Sequence, residues 1–587
     1  MFPSTALATV LIDEWVRCGV REVVLCPGSR SAPLAYAVQQ AEREGRLRLH
    51  VRVDERSAGF LALGLAKLSR RPAVVVTTSG TAVANLHPAV LEAHHACVPL
   101  VVLSADRPAE LRGTGANQTT VQPGLFAGAL RWEHDLPPGW GGNGVATARD
   151  LGTQQAAWRS TVCRGWAAAT GLAGDPGPAH LNVAFRDPLA PDLRDHEEDP
   201  SERPDSLRGR ADGEPWVALE VTQGARTSTH GAREATRDLV VLGDLPDPAD
   251  AQALLDVAQQ RGWPVVAEPF GTSDRRGVIP HGPLLLTDEA FVADHLPDRV
   301  HVVGRLTLHR EIATLLRRPG VEVVQVTAMS TWTDPSHVVG RVQRLGDWLD
   351  AEPAGAGQAQ RRWSEAWQAA GQDLARRVAG ALNDEHHVQA TGLGVAAAVA
   401  RTLRDGDILV LGSSNPPRDL DLADDGSPRG IRTVVGNRGL SGTDGMVSSA
   451  VGIALSAPAG SRTVALLGDL TFLHDSNGLL IGPDEPRPEL TVVVVNDDGG
   501  GIFATLDYGA PERAADFERV FGTPTGADLA ALCRGYAVPH QLLPGIPELV
   551  EALAEPATGI RVLEVPVDRG RHRDLRDRVR RAGSEPG

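Results

Sequence analysis

The sequence predicts an α/β protein made of three doubly wound α/β domains. Three observations carry this expectation: short β-branched runs recur along the chain, each run is followed by a Gly/Ser turn and a helical apolar period, and two stretches of turn-forming composition divide the repeats. At 587 residues and 42% apolar, the chain can bury several cores.

The first unit spans residues 1–185. Glu22-Val23-Val24-Leu25 and Ala73-Val74-Val75-Val76-Thr77 read as parallel strands, and Val51-Arg52-Val53 is a short strand that delivers Asp54 and Glu55 just before a helix covering Ala58 to Lys67. Residues 186–215, rich in Pro, Asp, Glu and Arg, bury little apolar surface and read as a linker. The second unit, 216–350, holds the strands at Leu239–Leu242, Pro264–Ala267 and Val300–Val303 and ends its strand pattern near Val324. It shows no obvious catalytic constellation. A small-residue, Gly/Pro-containing stretch and a helix over 351–380 lead to the third unit, 381–587, whose α/β pattern begins near Val388. There Thr463–Leu467 and Val492–Val495 are the clearest strands. The tail from Asp568 to Arg581 alternates Arg and Asp and predicts a solvated, salt-bridged helix rather than an RNA-binding arm.

Composition excludes several function classes. A net charge of -16 leaves no broad basic face for nucleic acid or an anionic membrane, so an anionic substrate must meet a local arginine cluster. Five widely spread cysteines, none at metal-ligand spacing, fit a reducing cytoplasm. No run approaches the roughly 20 apolar residues of a membrane span. Among 58 basic residues only Lys67 is lysine, which excludes a phosphate loop ending in Gly-Lys-Ser/Thr and leaves a Schiff base with one poor candidate. Any decarboxylation needs another electron sink.

The strongest chemical signal is Gly468-Asp469-Leu470 after one strand and Asn496-Asp497-Asp498-Gly499-Gly500-Gly501 after another. Adjacent parallel strands would bring these carboxylates together at their carboxyl ends, where open α/β sheets bind ligands. Hard oxygens of this kind suit Mg²⁺, which completes its shell with water and ligand phosphates. Alone, Asp469 reads rather as the cap of the helix after Gly468, and Asn496 to Gly501 as a turn; their spacing and context reverse that balance. Glu55 alone reads equally as a helix-start acid.

Together the two halves, at this separation, resemble the diphosphate-binding motif of thiamine-diphosphate enzymes. The resemblance implies thiamine diphosphate and Mg²⁺ or Mn²⁺ as cofactors, with Asp469, the side chain two before Gly499, and the Gly499 carbonyl on the metal. That middle position is Asp497, where relatives more often carry asparagine; register favours Asp497 over Asn496. Glu55 matches the glutamate that this family places beside the aminopyrimidine ring, where a carboxylate favours the tautomer able to remove the thiazolium C2 proton. In the family, glutamate and metal motif meet across a subunit interface, which implies a homodimer or a dimer of dimers.

Further segments resemble the branch of this family that serves menaquinone biosynthesis: Pro27-Gly28-Ser29-Arg30, Thr78-Ser79-Gly80-Thr81, Ala105-Asp106-Arg107-Pro108, Asn117-Gln118, Ser413-Ser414-Asn415-Pro416-Pro417-Arg418 and Asn437-Arg438-Gly439. That branch joins a four-carbon unit from 2-oxoglutarate to isochorismate, and both substrates are dicarboxylates. Guanidinium grips carboxylate through paired hydrogen bonds, which gives the arginine loops a reason. By resemblance Ser29, Arg30, Arg107, Asn117, Gln118, Ser414 and Arg418 contact substrate, and Phe503 and Leu506 wall it. Thr78, Ser79, Gly80, Arg438, Thr443, Gly468, Leu470 and Ile502 surround the cofactor. Thr443 stands where relatives carry a bulky apolar residue. The rival readings are an acetolactate synthase or another 2-oxo-acid decarboxylase, which the arginine loops and Thr81-Ala82 disfavour, and a non-catalytic binding module, which the retained Glu55 and metal carboxylates disfavour.

Overall fold

The computed structural model describes residues 2–139, 148–172, 174–192, 207–218, 237–351, 357–383, 390–423, 425 and 430–584. The start of the third unit near Val388 and much of the 186–215 linker lie outside them. The chain forms two compact units: one of 1–226 with 447–456 and 477–487, the other of 227–446 with 457–476 and 488–587.

The first unit contains a six-stranded parallel sheet in the order Arg48–Val51, Glu22–Leu25, Ala73–Thr77, Leu100–Asp106, Pro178–Ala184, Trp132–Leu136. Its central strands, Ala73–Thr77 and Leu100–Asp106, are buried along their whole length, as expected when helices cover both faces. The helix carrying Glu55, Glu55–Ser69, crosses Met446–Ser456 at close range. A Cβ on Gly64 would lie 2.3 Å from the Ser449 carbonyl oxygen, and one on Gly452 would lie 2.3 Å from that of Leu61, so larger residues would force the helices apart.

Among the described residues the second unit contains two sheets. One is parallel, in the order Val339–Arg344, Glu322–Thr327, Arg299–Val303, Asp238–Leu242, Val265–Ala267. The other runs His540–Leu542, Ile560–Pro566, Leu490–Asn496, Thr463–Gly468, Ile408–Leu411, Arg432–Gly436, and closes on the antiparallel strand Gly271–Ser273. Each α/β segment read from the sequence thus builds its own sheet, and the second lends one strand to the third. The tail helix His572–Ser584 differs from the solvated helix expected: Leu575 and Val579 are buried in an apolar cluster, and His572 and Arg576 are buried beside them. Two apolar side chains one turn apart sufficed to seat it. Among the described residues no helix is long and apolar enough to cross a membrane.

Candidate active site

Gly468 pairs in register with Val495, so the neighbouring strands Thr463–Gly468 and Leu490–Asn496 end side by side. Asp469 begins the helix after the first strand, and Asp497 follows the second directly. Both line one cavity of about 370 Å³ in the second unit. Asp469 is 3% exposed and accepts the Gly499 N–H at 2.8 Å through Oδ2. Asp497 Oδ2 meets His572 Nε2 at 2.8 Å, while its buried Oδ1 has no hydrogen-bond partner. Burial and then the charge of Asp497 push the pKa of Asp469 up to about 7. Two crowded carboxylates, one with an orphaned oxygen, fit a divalent cation that would take the place of the missing positive charge.

Asn496 turns away from this cavity. Its Nδ2 donates to Glu564 at 2.6 Å and its Oδ1 accepts the Asp498 N–H at 3.0 Å. The glycine turn leaves no room for side chains: a Cβ on Gly499, at φ 143°, would lie 1.9 Å from the Gly522 carbonyl oxygen, and one on Gly501 would lie 1.8 Å from Asp497 Oδ2.

The same cavity gathers Ser414, Arg418, Arg438, Thr443, Gly468, Leu470, Ile502 and Phe503. Leu506 does not line it and is 43% exposed. Ser414 has φ 78°, and its carbonyl accepts from Arg418 Nη1 at 2.6 Å, which folds the arginine back over its own loop. Arg576, from the tail helix, bonds Asn415 at 2.9 Å and Asp419 at 2.8 Å beneath that loop. Burial, then repulsion from Arg576 and Arg438, lowers the pKa of Arg418. The cavity therefore brings carboxylates and guanidinium groups together, an arrangement suited to a metal-bound diphosphate and an anionic substrate.

In the first unit, Asp54 caps the helix that Glu55 begins, accepting the N–H groups of Arg56 at 2.9 Å and Ser57 at 3.3 Å. The turn before it is pinned by residues far along the chain: Asn477 donates to Asp54 at 2.8 Å, and Glu485 accepts the Val51 N–H at 2.7 Å. Glu55 is half-buried at this rigid corner. Nearby in sequence order but on separate loops, Arg107 Nη1 bonds the Ser79 hydroxyl and, at 2.8 Å, the Gln118 carbonyl. Gln118 returns a bond to the Ser79 carbonyl at 3.0 Å. Burial and the charge of Arg30 lower the pKa of Arg107, so the two guanidinium groups share a neighbourhood. Thr78 and Ser79 are buried beneath this cluster, while Ser29, Asn117 and Gln118 are exposed.

Four residues at these sites were not singled out from the sequence. His572 touches Asp497 from the tail, Arg569 Nη1 bonds the carbonyls of Asp497, at 3.1 Å, and of Asp498, and Thr307 brings the central segment to the cavity wall. Gln122 is a fourth buried organiser, accepting the Gly80 N–H at 3.0 Å and donating to Asn182 at 2.7 Å.

Comparison with known proteins follows the same lines. Residues 5–125 match the thiamine pyrophosphate enzyme N-terminal TPP binding domain. A 2-succinyl-5-enolpyruvyl-6-hydroxy-3-cyclohexene-1-carboxylate synthase of Rhodococcus erythropolis is 48% identical over 584 residues, covering 99% of both chains. The protein of the same name from Saccharopolyspora erythraea is 45% identical, again over 99% of each chain. The crystal structure of benzoylformate decarboxylase from Polynucleobacter necessarius shares the fold, with a TM-score of 0.61 and 17% identity, covering 96% of this chain and 98% of that one.

Proposed function

This chain belongs to the family of 2-succinyl-5-enolpyruvyl-6-hydroxy-3-cyclohexene-1-carboxylate synthases, and from that premise we propose that it decarboxylates 2-oxoglutarate and adds the resulting four-carbon carbanion to isochorismate in menaquinone biosynthesis. The observation that carries the reading is the single cavity that gathers the paired carboxylates of Asp469 and Asp497 together with Arg418 and Arg438.

Thiamine diphosphate, when bound, supplies the electron sink that a chain with one lysine lacks among its own side chains. Asp469, Asp497 and the Gly499 carbonyl are the residues that would hold Mg²⁺ or Mn²⁺ against the diphosphate. His572 fixes Asp497 through Oδ2 and leaves Oδ1 for the metal. Glu55 serves as the carboxylate that bonds the aminopyrimidine and sets its proton acceptor. Arg418 and Ser414 take a substrate carboxylate, Arg438 an anionic group at the junction of cofactor and substrate, and Ile502 and Phe503 exclude water from the reacting carbon. Arg30, Arg107, Asn117, Gln118 and Ser29 form the second anion-binding loop cluster, with Thr78, Ser79 and Gly80 on the cofactor side. In this reading the limits 1–185, 216–350 and 381–587 mark three domains, Glu55 of one subunit completes the metal-bearing cavity of another, and the enzyme is a cytoplasmic homodimer or dimer of dimers.

The test is omission. Purified protein with thiamine diphosphate, Mg²⁺, 2-oxoglutarate and isochorismate should yield CO₂ and the coupled product by mass spectrometry, and each single omission should abolish the product. Rapid CO₂ release with no coupling would replace this function by that of a simple decarboxylase.

A further inference from the structure

Glu268 lies just past the strand Val265–Ala267, is 0% exposed, and has no assigned part in the chemistry. Its Oε1 accepts the N–H groups of Thr307 at 2.8 Å and Leu308 at 2.7 Å, and its Oε2 accepts the Thr307 hydroxyl at 3.0 Å. The hydroxyl thus gives its only proton to the carboxylate and keeps its lone pairs for another partner. That partner is Arg438, whose Nε donates to Thr307 Oγ1 at 3.2 Å. Arg438 is 3% exposed, and its guanidinium carbon stands 5.3 Å from the ring of Phe270, two residues after Glu268. Arg305 secures the same loop from behind, bonding the Gly439 carbonyl at 2.7 Å.

Burial pushes the pKa of Glu268 upward, while the charge of His309 and the Thr307 and Leu308 donors oppose that shift. A buried carboxylate with three donors and a line to a cavity-lining arginine is an expensive arrangement for packing alone. We propose that Glu268 is a positioning residue: through the Thr307 hydroxyl it fixes the Arg438 guanidinium that receives an anionic group in the cavity. This rests on the reading of Arg438 above. The anionic group is a carboxylate of the substrate or the cofactor diphosphate, and the test separates them.

Glu268→Gln keeps an oxygen for the two backbone donors but sets an amide N–H where Oε2 accepts. The hydroxyl then loses its proton acceptor and no longer holds its lone pair toward Arg438. Thr307→Val removes the hydroxyl at nearly constant volume, and Thr307→Ser retains it. In the assembled enzyme, Glu268→Gln and Thr307→Val should each weaken binding about tenfold with kcat within about threefold, whereas misfolding lowers kcat at constant KM. A rise in KM for 2-oxoglutarate assigns the anion to the substrate, and a rise in the Kd of thiamine diphosphate, measured calorimetrically with Mg²⁺, assigns it to the diphosphate. Thr307→Ser should behave as wild type, and the double variant Glu268→Gln/Thr307→Val should be no worse than Thr307→Val alone, because both cut one chain of bonds. Additive losses, or normal binding in both single variants while Arg438→Gln is impaired, would overturn the relay. If Arg438→Gln itself binds both ligands normally, the role given to Arg438 fails first and the relay with it.

Discussion

Replacing Gly501 by alanine perturbs the proposed metal site without replacing a proposed ligand residue. The new Cβ would stand 1.8 Å from Asp497 Oδ2 and 3.0 Å from His572 Cδ2. Non-bonded carbon and oxygen do not approach closer than about 3 Å, so the carboxylate must retreat by roughly 1.2 Å. Metal–oxygen distances in such sites hold to within about 0.2 Å. A displacement of this size takes Asp497 off the metal or breaks its bond to His572. Losing a supporting contact of this kind weakens metal affinity by about 10- to 100-fold, or ~1.4–2.7 kcal/mol. Titration with Mn²⁺, followed by electron paramagnetic resonance in the presence of thiamine diphosphate, reads this directly. Gly535→Ala, where a Cβ meets nothing within 4 Å, is the control. Unchanged Mn²⁺ affinity in Gly501→Ala would refute the assignment of Asp497 to the metal.

Asp469→Asn should raise the thermal stability of the metal-free protein above pH 7. The sign follows from Asp469, whose folded pKa of about 7 exceeds its ordinary 3.8: the folded state keeps a proton the unfolded chain has lost, so stability present at low pH falls as pH rises through 7. The ceiling of that gain is ~4 kcal/mol, and it should vanish near pH 4; equal melting temperatures of variant and parent at pH 8 without metal would contradict it. Asp497→Asn removes the like charge and keeps a ligating oxygen, so Mn²⁺ should bind within about fivefold of wild type by the same titration. Glu55→Gln should slow deuterium exchange at the thiazolium C2 of bound cofactor by at least about 100-fold while leaving cofactor affinity nearly unchanged.

The sheets were legible because buried parallel strands write themselves as unbroken apolar runs, as in Ala73–Thr77 and Leu490–Asn496. The pairing of Asp469 with Asp497 was legible because two strand ends carry carboxylates and the strands prove to be neighbours. Register also separates Asp497 from Asn496, whose side chain is occupied by Glu564. His572 was not legible: a lone histidine in an Arg/Asp-rich tail carries no spacing signal, and only the burial of Leu575 and Val579 seats it beside Asp497. Nor was the link from Glu268 to Arg438, since partners 39 residues apart and then 131 apart share no motif. Leu506 fell outside the cavity because the short helix Gly501–Ala504 ends before reaching it. Thr443 does line the cavity, so the position keeps its place while its side chain is smaller than the sequence pattern of relatives suggests.

In the proposed function Glu55 and the Asp469–Asp497 cavity serve one reaction across two subunits. Mixing the separately inactive variants Glu55→Gln and Asp469→Ala, with subunit exchange, distinguishes this from a site within one chain. Half of the dimers formed should be mixed, and each mixed dimer should hold one intact site, so about a quarter of wild-type coupling activity should return. No recovery in a mixture shown to contain mixed dimers would contradict the claim.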